Sequence, residues 1–376
     1  MPPGRSGHSA VTDGVDMYVY GGFNPQAGPA VLPEAGYHDV QVQDPHFEFH
    51  TQVMAEVWKF NFATHTWSLL NTENCPETAA SASLLLVGRT LFAYGGTIVP
   101  WGKKMSNTIY AADLSSGIWK MMPGSAKRDE SDIPLPGYGQ SLVYHNNKIY
   151  VFTGAVAYVG DPVSHLHVFD LLSGQWERLK PSGKIPEGRY KQEMVFYKDR
   201  LILIGGGFER QCASLDHIFI YWLNSNCWER ITTLAEEKQL FPSPRACFAS
   251  TLQDHFLYIM GGRVYSDNFP ESILQDTWKL DLVSYQWQRL RHLNLPVCIS
   301  FPTACLSPNG YVYVYGGILY TRERNKNIFR AKLFIPKLVE MCFELVMTTL
   351  RQKNCKLRDY QNMGIPHNFL SRIQPA

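Results

Sequence analysis

Most of the chain alternates apolar and polar residues with the period of two that is typical of β-strands. The segment 335–350 differs, because its apolar residues recur at helical spacing. They are Leu338, Met341, Cys342, Leu345, Val346 and Leu350. The pattern therefore predicts a β protein that ends in one apolar helix.

One apolar strand recurs six times and ends each time in Gly-Gly or Thr-Gly. The copies are MYVYGG (17–22), LFAYGG (91–96), IYVFTG (149–154), LILIGG (201–206), LYIMGG (257–262) and VYVYGG (312–317). In five repeats a second unit follows, in which an aromatic residue or histidine stands nine residues before a tryptophan. The pairs are Trp58/Trp67, Tyr110/Trp119, His167/Trp176, Phe219/Trp228 and Trp278/Trp287. Turn residues separate the two halves of each pair, so each unit predicts a β-hairpin.

A repeat of about 50 residues with four short strands cannot bury both of its faces alone, whereas radially stacked repeats share a core. We therefore predict an all-β fold, a six-bladed β-propeller over residues 1–335 with a helical segment over residues 336–376. The glycine pairs and spaced tryptophans resemble the kelch repeat. In the sixth copy Pro336 follows the third strand and no Trp hairpin comes after it, so blade 6 is expected to lack its own fourth strand. An insertion at about 24–54 in blade 1 predicts a mobile surface loop.

Composition restricts the class of partner and the compartment. The net charge of +2 gives no field strong enough for general nucleic-acid or membrane binding. The eight cysteines are scattered and form no CxxC pair, as is typical of proteins in a reducing compartment. The first residues lack the apolar stretch of a signal peptide, and no apolar run is long enough to span a membrane. We expect a cytoplasmic or nuclear protein.

The C-terminal segment carries two short motifs. Leu338, Cys342 and Val346 form one stripe of the predicted helix and resemble the BC box that docks into elongin C. Downstream, Ile365, Pro366 and Phe369 resemble the cullin box of cullin-2 receptors. From the pattern alone, a helix that packs on the flank of the propeller remains an alternative.

Taken together, the repeats, stretches such as PPGRSGH and PEGRYKQE, and the tail resemble the kelch-domain substrate receptors of cullin-2 RING ubiquitin ligases. The resemblance implies a non-catalytic subunit that captures substrate proteins whose exposed C-termini end in Gly. It also implies elongin B, elongin C and cullin-2 as partners. The alternative is a kelch scaffold, for instance a cytoskeletal one, that works without any ligase.

The repeat arithmetic indicates which residues surround one mouth of the central channel. Counting 17 residues back from the second glycine of each repeat gives Arg5, Ala79, Gly137, Arg189, Arg245 and Ser300. The loops after the glycine pairs supply Phe23, Trp101, Tyr158, Phe208, Tyr265 and Tyr320, with Arg210 and Arg263. Arginines bind a carboxylate through paired hydrogen bonds, and aromatic walls hold a short apolar tail. The candidate ligand-binding residues are Arg5, Arg189, Arg210, Arg245, Arg263, Trp101, Tyr138, Tyr158 and Phe208.

Two observations limit this assignment. Arginines at strand starts of kelch repeats also hydrogen-bond the backbone, and loop aromatics also cover neighbouring loops. In related receptors, arginines of the blade 4 loop and a serine at the start of blade 5 hold the carboxylate. Here Arg210 matches the loop position roughly, whereas Ala246 stands in place of the serine.

Enzymatic chemistry finds little support in the residues. His46, Glu48 and His50 alternate in one short stretch, but no further metal ligand matches them. His165 and His167 are better explained as strand positions. LIGGGFER (203–210) is a strand and a loop without a helix to cradle phosphate. The sequence therefore predicts neither a catalytic site nor a metal or cofactor.

Overall fold

The computed structural model describes residues 1–26, 53–156, 163–208, 211–236, 240–266, 269–352 and 365–373. The chain forms six antiparallel sheets, five with strands a, b, c and d in chain order and the sixth with strands a, b and c within the described residues. The a strands of neighbouring blades lie side by side, with the Ser250 hydroxyl bonded to Glu193 between blades 4 and 5, and all six line a central channel. The six-bladed propeller predicted from the repeats is confirmed.

The blades use short strands, most of them four or five residues long. The a strands are Ser9–Thr12, Ser83–Val87, Ser141–His145, Glu193–Tyr197, Ala249–Gln253 and Thr303–Leu306. The b strands are Asp16–Tyr20, Thr90–Tyr94, Lys148–Phe152, Arg200–Ile204, Phe256–Met260 and Tyr311–Tyr315. The c strands are Val57–Asn61, Ile109–Asp113, Leu166–Asp170, His217–Trp222, Thr277–Asp281 and Ile328–Lys332. The d strands are Trp67–Leu69, Trp119–Met121, Gln175–Arg178, Cys227–Thr232 and Trp287–Arg289.

Further short elements occupy the connections. Two-stranded ribbons pair Gly137–Tyr138 with Ala155–Val156, Gly207–Phe208 with Gln211–Cys212, Arg263–Ser266 with Phe269–Ile273, and Ile299–Ser300 with Ile318–Leu319. Two 3-10 turns span Glu130–Asp132 and Arg291–Leu293. Helix α1 spans Leu338–Gln352, and the short helix α2 spans His367–Leu370.

The strand order gives the propeller two distinct faces. The b–c loops and the d–a connections emerge on one side, which we call the loop face. The a–b and c–d turns emerge on the other side, the turn face. Strand b of each blade is almost fully buried, because its Val, Ile, Leu, Tyr and Phe side chains contact the blades on both sides.

The tryptophan of each d strand ties its blade to the preceding one. Four of them lie against the last residue of strand b in that preceding blade. The ring centroids are 5.0 Å apart for Trp67 and Tyr315, 5.4 Å for Trp119 and Tyr20, 5.6 Å for Trp176 and Tyr94, and 5.9 Å for Trp228 and Phe152. The fifth, Trp287, donates its indole N–H to the carbonyl of Leu215 at 2.9 Å. The repeated tryptophan is thus the residue that packs blade on blade.

A second tie runs along the outer edge of the ring. The connection that leaves one blade passes parallel to strand d of the next, as Ser125–Ala126 does beside Gln175 and Trp176. Ser182–Gly183 pairs in the same way with Cys227 and Trp228. Because these segments bond the outermost strand, they cover edges that would otherwise be open to solvent.

A ring of six residues in the left-handed backbone conformation surrounds the loop-face end of the channel. The members, with φ between 53° and 68°, are Gly7, Ser81, Gly139, Lys191, Cys247 and Phe301. Five of the six links between them are backbone hydrogen bonds of 2.7 to 3.3 Å, each from one member's N–H to the carbonyl of the preceding member. We call this set the αL ring.

Blade 6 has three strands within the described residues, in the order a, b, c. The predicted absence of a fourth strand is confirmed there. Trp278 and Trp287 lie in one hairpin, as predicted, with Leu280 opposite Trp287. Most of the insertion in blade 1, residues 27–52, lies outside the described residues, so the surface-loop prediction is not tested.

Candidate functional site

Two of the sequence-predicted arginines lie fully buried inside their blades. Arg5 donates to the carbonyl of Gly21 at 3.0 Å and pairs with Glu56 at 2.7 Å. Arg245 donates to the carbonyl of Gly261 at 3.0 Å and to both carboxylate oxygens of Asp276, at 2.8 and 3.0 Å. Both guanidinium groups have 0% exposure. These contacts join the start of strand a to the start of strand c.

Arg189 repeats the same arrangement in blade 4. It donates to the carbonyl of Gly205 at 3.1 Å and to the carboxylate of Glu187 at 3.0 Å, and its side chain is 7% exposed. Glu187 itself is 82% exposed, so this ion pair is screened by solvent. For all three arginines at strand starts, the geometry favours the structural alternative over contact with a ligand.

Arg263, in the loop after strand b of blade 5, is placed differently. Its guanidinium carbon lies 5.0 Å from the ring centroid of Phe301, and its Nη2 lies 3.4 Å from the Ser300 hydroxyl. Its Nη1 pairs with Glu271 at 2.9 Å, but Glu271 is 51% exposed and therefore replaceable by another anion. The Arg263 Nε has no hydrogen-bond partner among the described residues. Because that nitrogen is buried, the capacity of Arg263 for an anion lies in its Nη atoms, whose ionic partner Glu271 is exposed.

Lys191 brings a second cation to the same aromatic ring. Its ammonium lies 5.8 Å from the Phe301 ring centroid. Lys191 belongs to blade 4, whereas Arg263 reaches the same ring from blade 5. Burial lowers the pKa of Lys191 from its usual 10.5. An anion bound here would offset that effect by favouring the charged amine. Phe301 thus gathers two positive charges at the edge of the αL ring.

Aromatic side chains continue around the mouth in a chain of contacts. Phe23 and Trp101 have ring centroids 5.6 Å apart, and Trp101 and Tyr138 are separated by 5.9 Å. Tyr138 in turn meets Tyr190 at 5.9 Å, edge to face. Trp101 is 39% exposed. Phe23 is buried, so the exposed Trp101 and the half-buried Tyr138 and Tyr190 are the members of this arc that a peptide on the loop face could contact.

From the predicted set, Trp101 and Tyr138 contact each other, and Arg263 lies on the same face beside Phe301. Tyr158 and Arg210 lie outside the described residues, and the side chain of Phe208 is not described. Sequence reasoning missed Lys191, Tyr190 and Phe301. Tyr190 and Lys191 follow Arg189, and Phe301 follows Ser300. Counting 17 residues back and including the next two residues would therefore have found all three.

The channel beneath the αL ring contains a cavity of about 160 Å³ lined by all six a strands. Glu193 lies in its wall and accepts a hydrogen bond from the Ser250 hydroxyl at 3.0 Å. Burial raises the pKa of Glu193 to about 7. Burial, together with the charge of Arg5, lowers the pKa of His8 to about 3. Lys191 lines the same cavity, so the channel wall also carries a cation beside Glu193.

Helix α1 packs against the turn face at the junction of blades 1 and 6. Phe343, Met347 and Leu350 are buried on that side against Ala63 in the c–d turn of blade 1. Glu344 accepts a hydrogen bond of 2.8 Å from the Asn309 amide of blade 6. The helix is thus fixed to both blades, as the alternative of a packed helix suggested.

The opposite side of α1 is apolar and exposed. Leu338 is 73% exposed, Leu345 is 70% exposed and Val346 is 39% exposed, and Cys342 is also exposed. We call Leu338, Met341, Cys342, Leu345 and Val346 the outer stripe. Leu350, which the sequence grouped with them, lies on the buried side instead. One helix therefore carries two apolar faces, only one of which the propeller covers.

The second C-terminal motif folds back onto the first. Phe369 is 8% exposed and Ile373 is 7% exposed, and both pack beside Phe343. Arg372 pairs with Glu340 at 3.0 Å, and its carbonyl accepts a hydrogen bond from the Asn61 amide. Ile365 is half-buried and Pro366 is exposed. Of the predicted cullin-box residues, Pro366 is the one that lies open to solvent.

The described residues contain no further cluster that suits metal chemistry. They hold no group of three His, Cys, Asp or Glu side chains that would suit a metal ion. His46, Glu48 and His50 lie outside that part of the chain. His167 is a buried residue of strand c in blade 3, as predicted, and burial lowers its pKa to about 3. None of the helices described is both long enough and apolar enough to cross a bilayer.

Comparison with known proteins agrees with this architecture. A family model described as the KLHDC2/KLHL20/DRC7 Kelch-repeats domain matches residues 1–206 and again residues 102–317. Kelch domain-containing protein 10 of Homo sapiens is 31% identical over 380 residues, which span 99% of this chain and 80% of that protein. The Drosophila melanogaster homolog of that protein is 30% identical over 403 residues, which span 100% of this chain and 62% of the relative.

Kelch domain-containing protein 2 of Bos taurus is more distant, at 24% identity over 339 residues that span 84% of this chain and 76% of that protein. The repeats, the family model and the extended similarity point the same way: the chain belongs to the kelch-repeat family.

Proposed function

We propose that this chain is the non-catalytic substrate receptor of a cullin-2 RING ubiquitin ligase in the cytoplasm or nucleus. In this proposal, the loop face binds protein C-termini that end in Gly, and α1 recruits elongin B and elongin C. The observation that carries the proposal is the outer stripe, which stays open to water although the other side of the same helix is buried.

An exposed apolar stripe on a docked helix is costly unless a partner covers it. Each large aliphatic side chain gains about 1.5 to 3 kcal/mol when it moves from water to an apolar site. Leu338, Cys342 and Val346 stand four residues apart, so they form one line that an apolar groove can accept. This line coincides with the residues that resemble a BC box, which favours elongin C as the occupant.

For cullin-2, the proposal rests mainly on Ile365 and Pro366. Phe369 stacks on Phe343 and is therefore needed to hold the tail against α1. A contact with cullin-2 at this end would then use the surface around Pro366, with Phe369 supporting it from below. The buried side of α1 thus holds the tail against the propeller, and the outer stripe is the surface proposed for elongin C.

On the loop face, Arg263 and Lys191 are the proposed partners of the substrate carboxylate. Both cations border Phe301, and Ser300 adds a hydroxyl beside Arg263. This is the combination of loop arginine and strand-start serine known from the related receptors, moved one blade around the ring. A terminal Gly suits the position, because a side chain there would compete for space with the αL ring and with the aromatic side chains beside it.

The first test measures capture of elongin. Full-length chain with Leu338→Ala should retain elongin B and elongin C at least tenfold less well than wild type, since Leu338 is proposed to fill a pocket. Leu172→Ala is the matched control, because Leu172 is 81% exposed on the turn face of blade 3. Normal retention by the Leu338→Ala variant would refute the elongin assignment and leave a kelch scaffold as the better description.

The second test measures carboxylate recognition. A labelled peptide ending in Gly is titrated as free acid, as amide and with one added residue. Loss of the charge should cost about 2 to 5 kcal/mol, because it leaves a desolvated guanidinium without a partner. Arg263→Gln should remove the preference for the acid, whereas Arg89→Gln, in a turn on the opposite face, should not. Equal binding of acid and amide by wild type would contradict the proposal.

A further inference from the structure

The ion pair of Arg263 and Glu271 stands where the proposed function places a substrate carboxylate. Glu271 Oε1 lies 2.9 Å from Arg263 Nη1, which is the distance of a charge-assisted hydrogen bond. Among the residues that the structure describes, Arg263 is the one ionic partner of Glu271. A substrate C-terminus that pairs with this nitrogen therefore takes the place of Glu271.

The cation of this pair is held in place, whereas the anion faces water. The Arg263 guanidinium carbon lies 5.0 Å from the ring centroid of Phe301, and Arg263 Nη2 lies 3.4 Å from the Ser300 hydroxyl. The Arg263 side chain is 24% exposed, and the Glu271 side chain is 51% exposed. Ion pairs that reach solvent contribute little to stability, so water can replace Arg263 as the neighbour of Glu271. Glu271 is therefore the partner that a substrate displaces.

Arg263 and Glu271 lie at different heights of the blade 5 ribbon, which pairs Arg263–Ser266 with Phe269–Ile273. Arg263 directly follows the glycine pair at the base of the ribbon and lies opposite Ile273. Glu271 stands two residues from Ile273 in the direction away from the base, which is about 7 Å along a strand. The contact between the two side chains shows that they lie on the same side of the ribbon. This side therefore presents a cation near the αL ring and an anion farther out.

A peptide that binds by its C-terminus passes this anion on its way out of the mouth. Phe301 is a member of the αL ring, so its contact with Arg263 places the terminal carboxylate next to the ring. An extended chain advances about 3.3 Å per residue, so the two residues before the terminal Gly cover the offset between Arg263 and Glu271. Successive side chains point to opposite sides. Either the second-last or the third-last residue therefore faces Glu271, and the other one faces away.

The charge balance of the site favours a basic side chain at the position that faces Glu271. Lys191 has Glu193 as a carboxylate neighbour in the channel wall. Once the substrate carboxylate holds Arg263, Glu271 is left beside it without the cation that it pairs with in the free chain. A lysine or arginine of the substrate would pair with Glu271, whereas an aspartate or glutamate would be repelled by it. Glu271 thus exchanges one partner for another.

We propose that Glu271 is a specificity-determining residue, which gives up Arg263 to the substrate carboxylate and then selects a basic residue one or two positions before the terminal Gly. This inference rests on the proposed function and narrows its substrate class to Gly-ending C-termini with a lysine or arginine close to the end. Glu271 also competes with the substrate carboxylate for Arg263, so it lowers the affinity for peptides that have no basic residue there.

The probes are two series of labelled peptides, Ser-Gly-Ser-Ala-x-Ala-Gly and Ser-Gly-Ser-Ala-Ala-x-Gly, in which x is Lys, Ala or Glu. Each peptide is titrated against the full-length chain at low salt. In one series the Lys peptide should bind about threefold to fivefold tighter than the Ala peptide, and the Ala peptide tighter than the Glu peptide by a similar factor, as is typical of exposed ion pairs. The other series should show a smaller dependence, because its variable side chain faces away. Equal dependence in both series, or none in either, would overturn the proposal.

Variants of Glu271 assign the effect to this side chain. Glu271→Gln should abolish the order of the Lys, Ala and Glu peptides and should bind the Ala peptide about twofold tighter or more, because the internal competitor for Arg263 has lost its charge. Glu271→Lys should reverse the order. Glu77→Lys is the matched control, since Glu77 is 54% exposed and pairs with Lys104 on the loop face of blade 2, across the ring from blade 5. It should leave the order as in wild type.

The amide forms of the same peptides separate this inference from the proposed function. If wild type prefers the acid to the amide but Glu271→Gln keeps the order of the three peptides, the role of Glu271 is refuted and carboxylate capture stands. Weaker binding of the Ala peptide by Glu271→Gln would also refute it, because Glu271 would then support Arg263 instead of competing for it. Equal binding of acid and amide by wild type would refute both proposals.

Discussion

The ring of Phe343 on α1 stacks on the ring of Phe369, with centroids 4.5 Å apart and planes inclined by 28°. The guanidinium of Arg372 lies 4.6 Å from the first ring and 5.3 Å from the second. This stack joins two segments that would otherwise be connected only through the chain between them. The C-terminal motifs therefore act as one docked unit on the turn face.

Phe369→Ala should release this unit locally. A buried phenylalanine replaced by alanine costs about 3 to 5 kcal/mol, here in the free energy of docking α1 and the segment 365–373. Hydrogen exchange of the α1 amides should accelerate, while the exchange of the propeller strands should stay unchanged. Phe241→Ala is the matched control, because Phe241 is 38% exposed. Unchanged exchange in α1 would show that the stack does not hold the helix.

Arg245→Gln should destabilise the whole propeller. The substitution removes the bidentate pair with Asp276 and leaves that carboxylate without its cation, which typically costs about 3 to 5 kcal/mol. Urea denaturation should show the loss, whereas Arg89→Gln, at an exposed turn, should change stability by about 0.5 kcal/mol or less. If Arg245→Gln instead left stability intact and weakened peptide binding, Arg245 would be a ligand contact after all.

The propeller can be predicted from the sequence because every blade repeats the same pattern of strands and turns. Strands with a period of two, each followed by Gly-Gly or Thr-Gly, recur six times. The tryptophan that stands nine residues after an aromatic residue or histidine of strand c recurs five times, so the repeat spacing predicts the strands well. The same repeat pattern predicts that blade 6 has no fourth strand after Pro336, because no tryptophan hairpin follows that residue. These features depend on local pattern and on neighbours that are themselves repeats.

The binding features depend on contacts that no local pattern encodes. The periodicity of α1 placed Leu338 and Leu350 in one set, but the helix meets the propeller along Phe343 and Met347, and Leu350 falls on that side. Arginines at strand starts were equally compatible with ligand contact and with internal bonding. Only the position of Asp276 and Glu56 in the fold shows that Arg245 and Arg5 already have partners.

Lys191→Gly should separate binding from stability. Lys191 has φ of 53° in the αL ring, a conformation that costs a side-chain-bearing residue about 1 kcal/mol and costs glycine little. Stability should therefore stay within about 1 kcal/mol, whereas affinity for the acid form of a Gly-ending peptide should fall at least tenfold. Ser81→Gly, at the equivalent ring position with φ of 54°, should leave both unchanged. Retained affinity in the Lys191→Gly variant would remove Lys191 from the proposed site.

Glu193→Gln should stabilise the protein in a way that grows with pH. Burial raises the pKa of Glu193 from its usual 4.5 to about 7, so the folded chain keeps a proton that the unfolded chain releases above pH 4.5. Stability of the wild type should accordingly fall as the pH rises from about 4.5 to about 7 and then level off. Glutamine cannot ionise and escapes this loss, which amounts to about 1 to 3 kcal/mol because part of the Glu193 side chain remains accessible. Urea midpoints measured at pH 5 and pH 8 should therefore differ less for the variant than for wild type. The exposed Glu130→Gln serves as control and should follow wild type at both values. A gain in Glu193→Gln that is equal at pH 5 and pH 8 would mean that Glu193 is ionised throughout, and that Lys191 and Ser250 compensate fully for its burial.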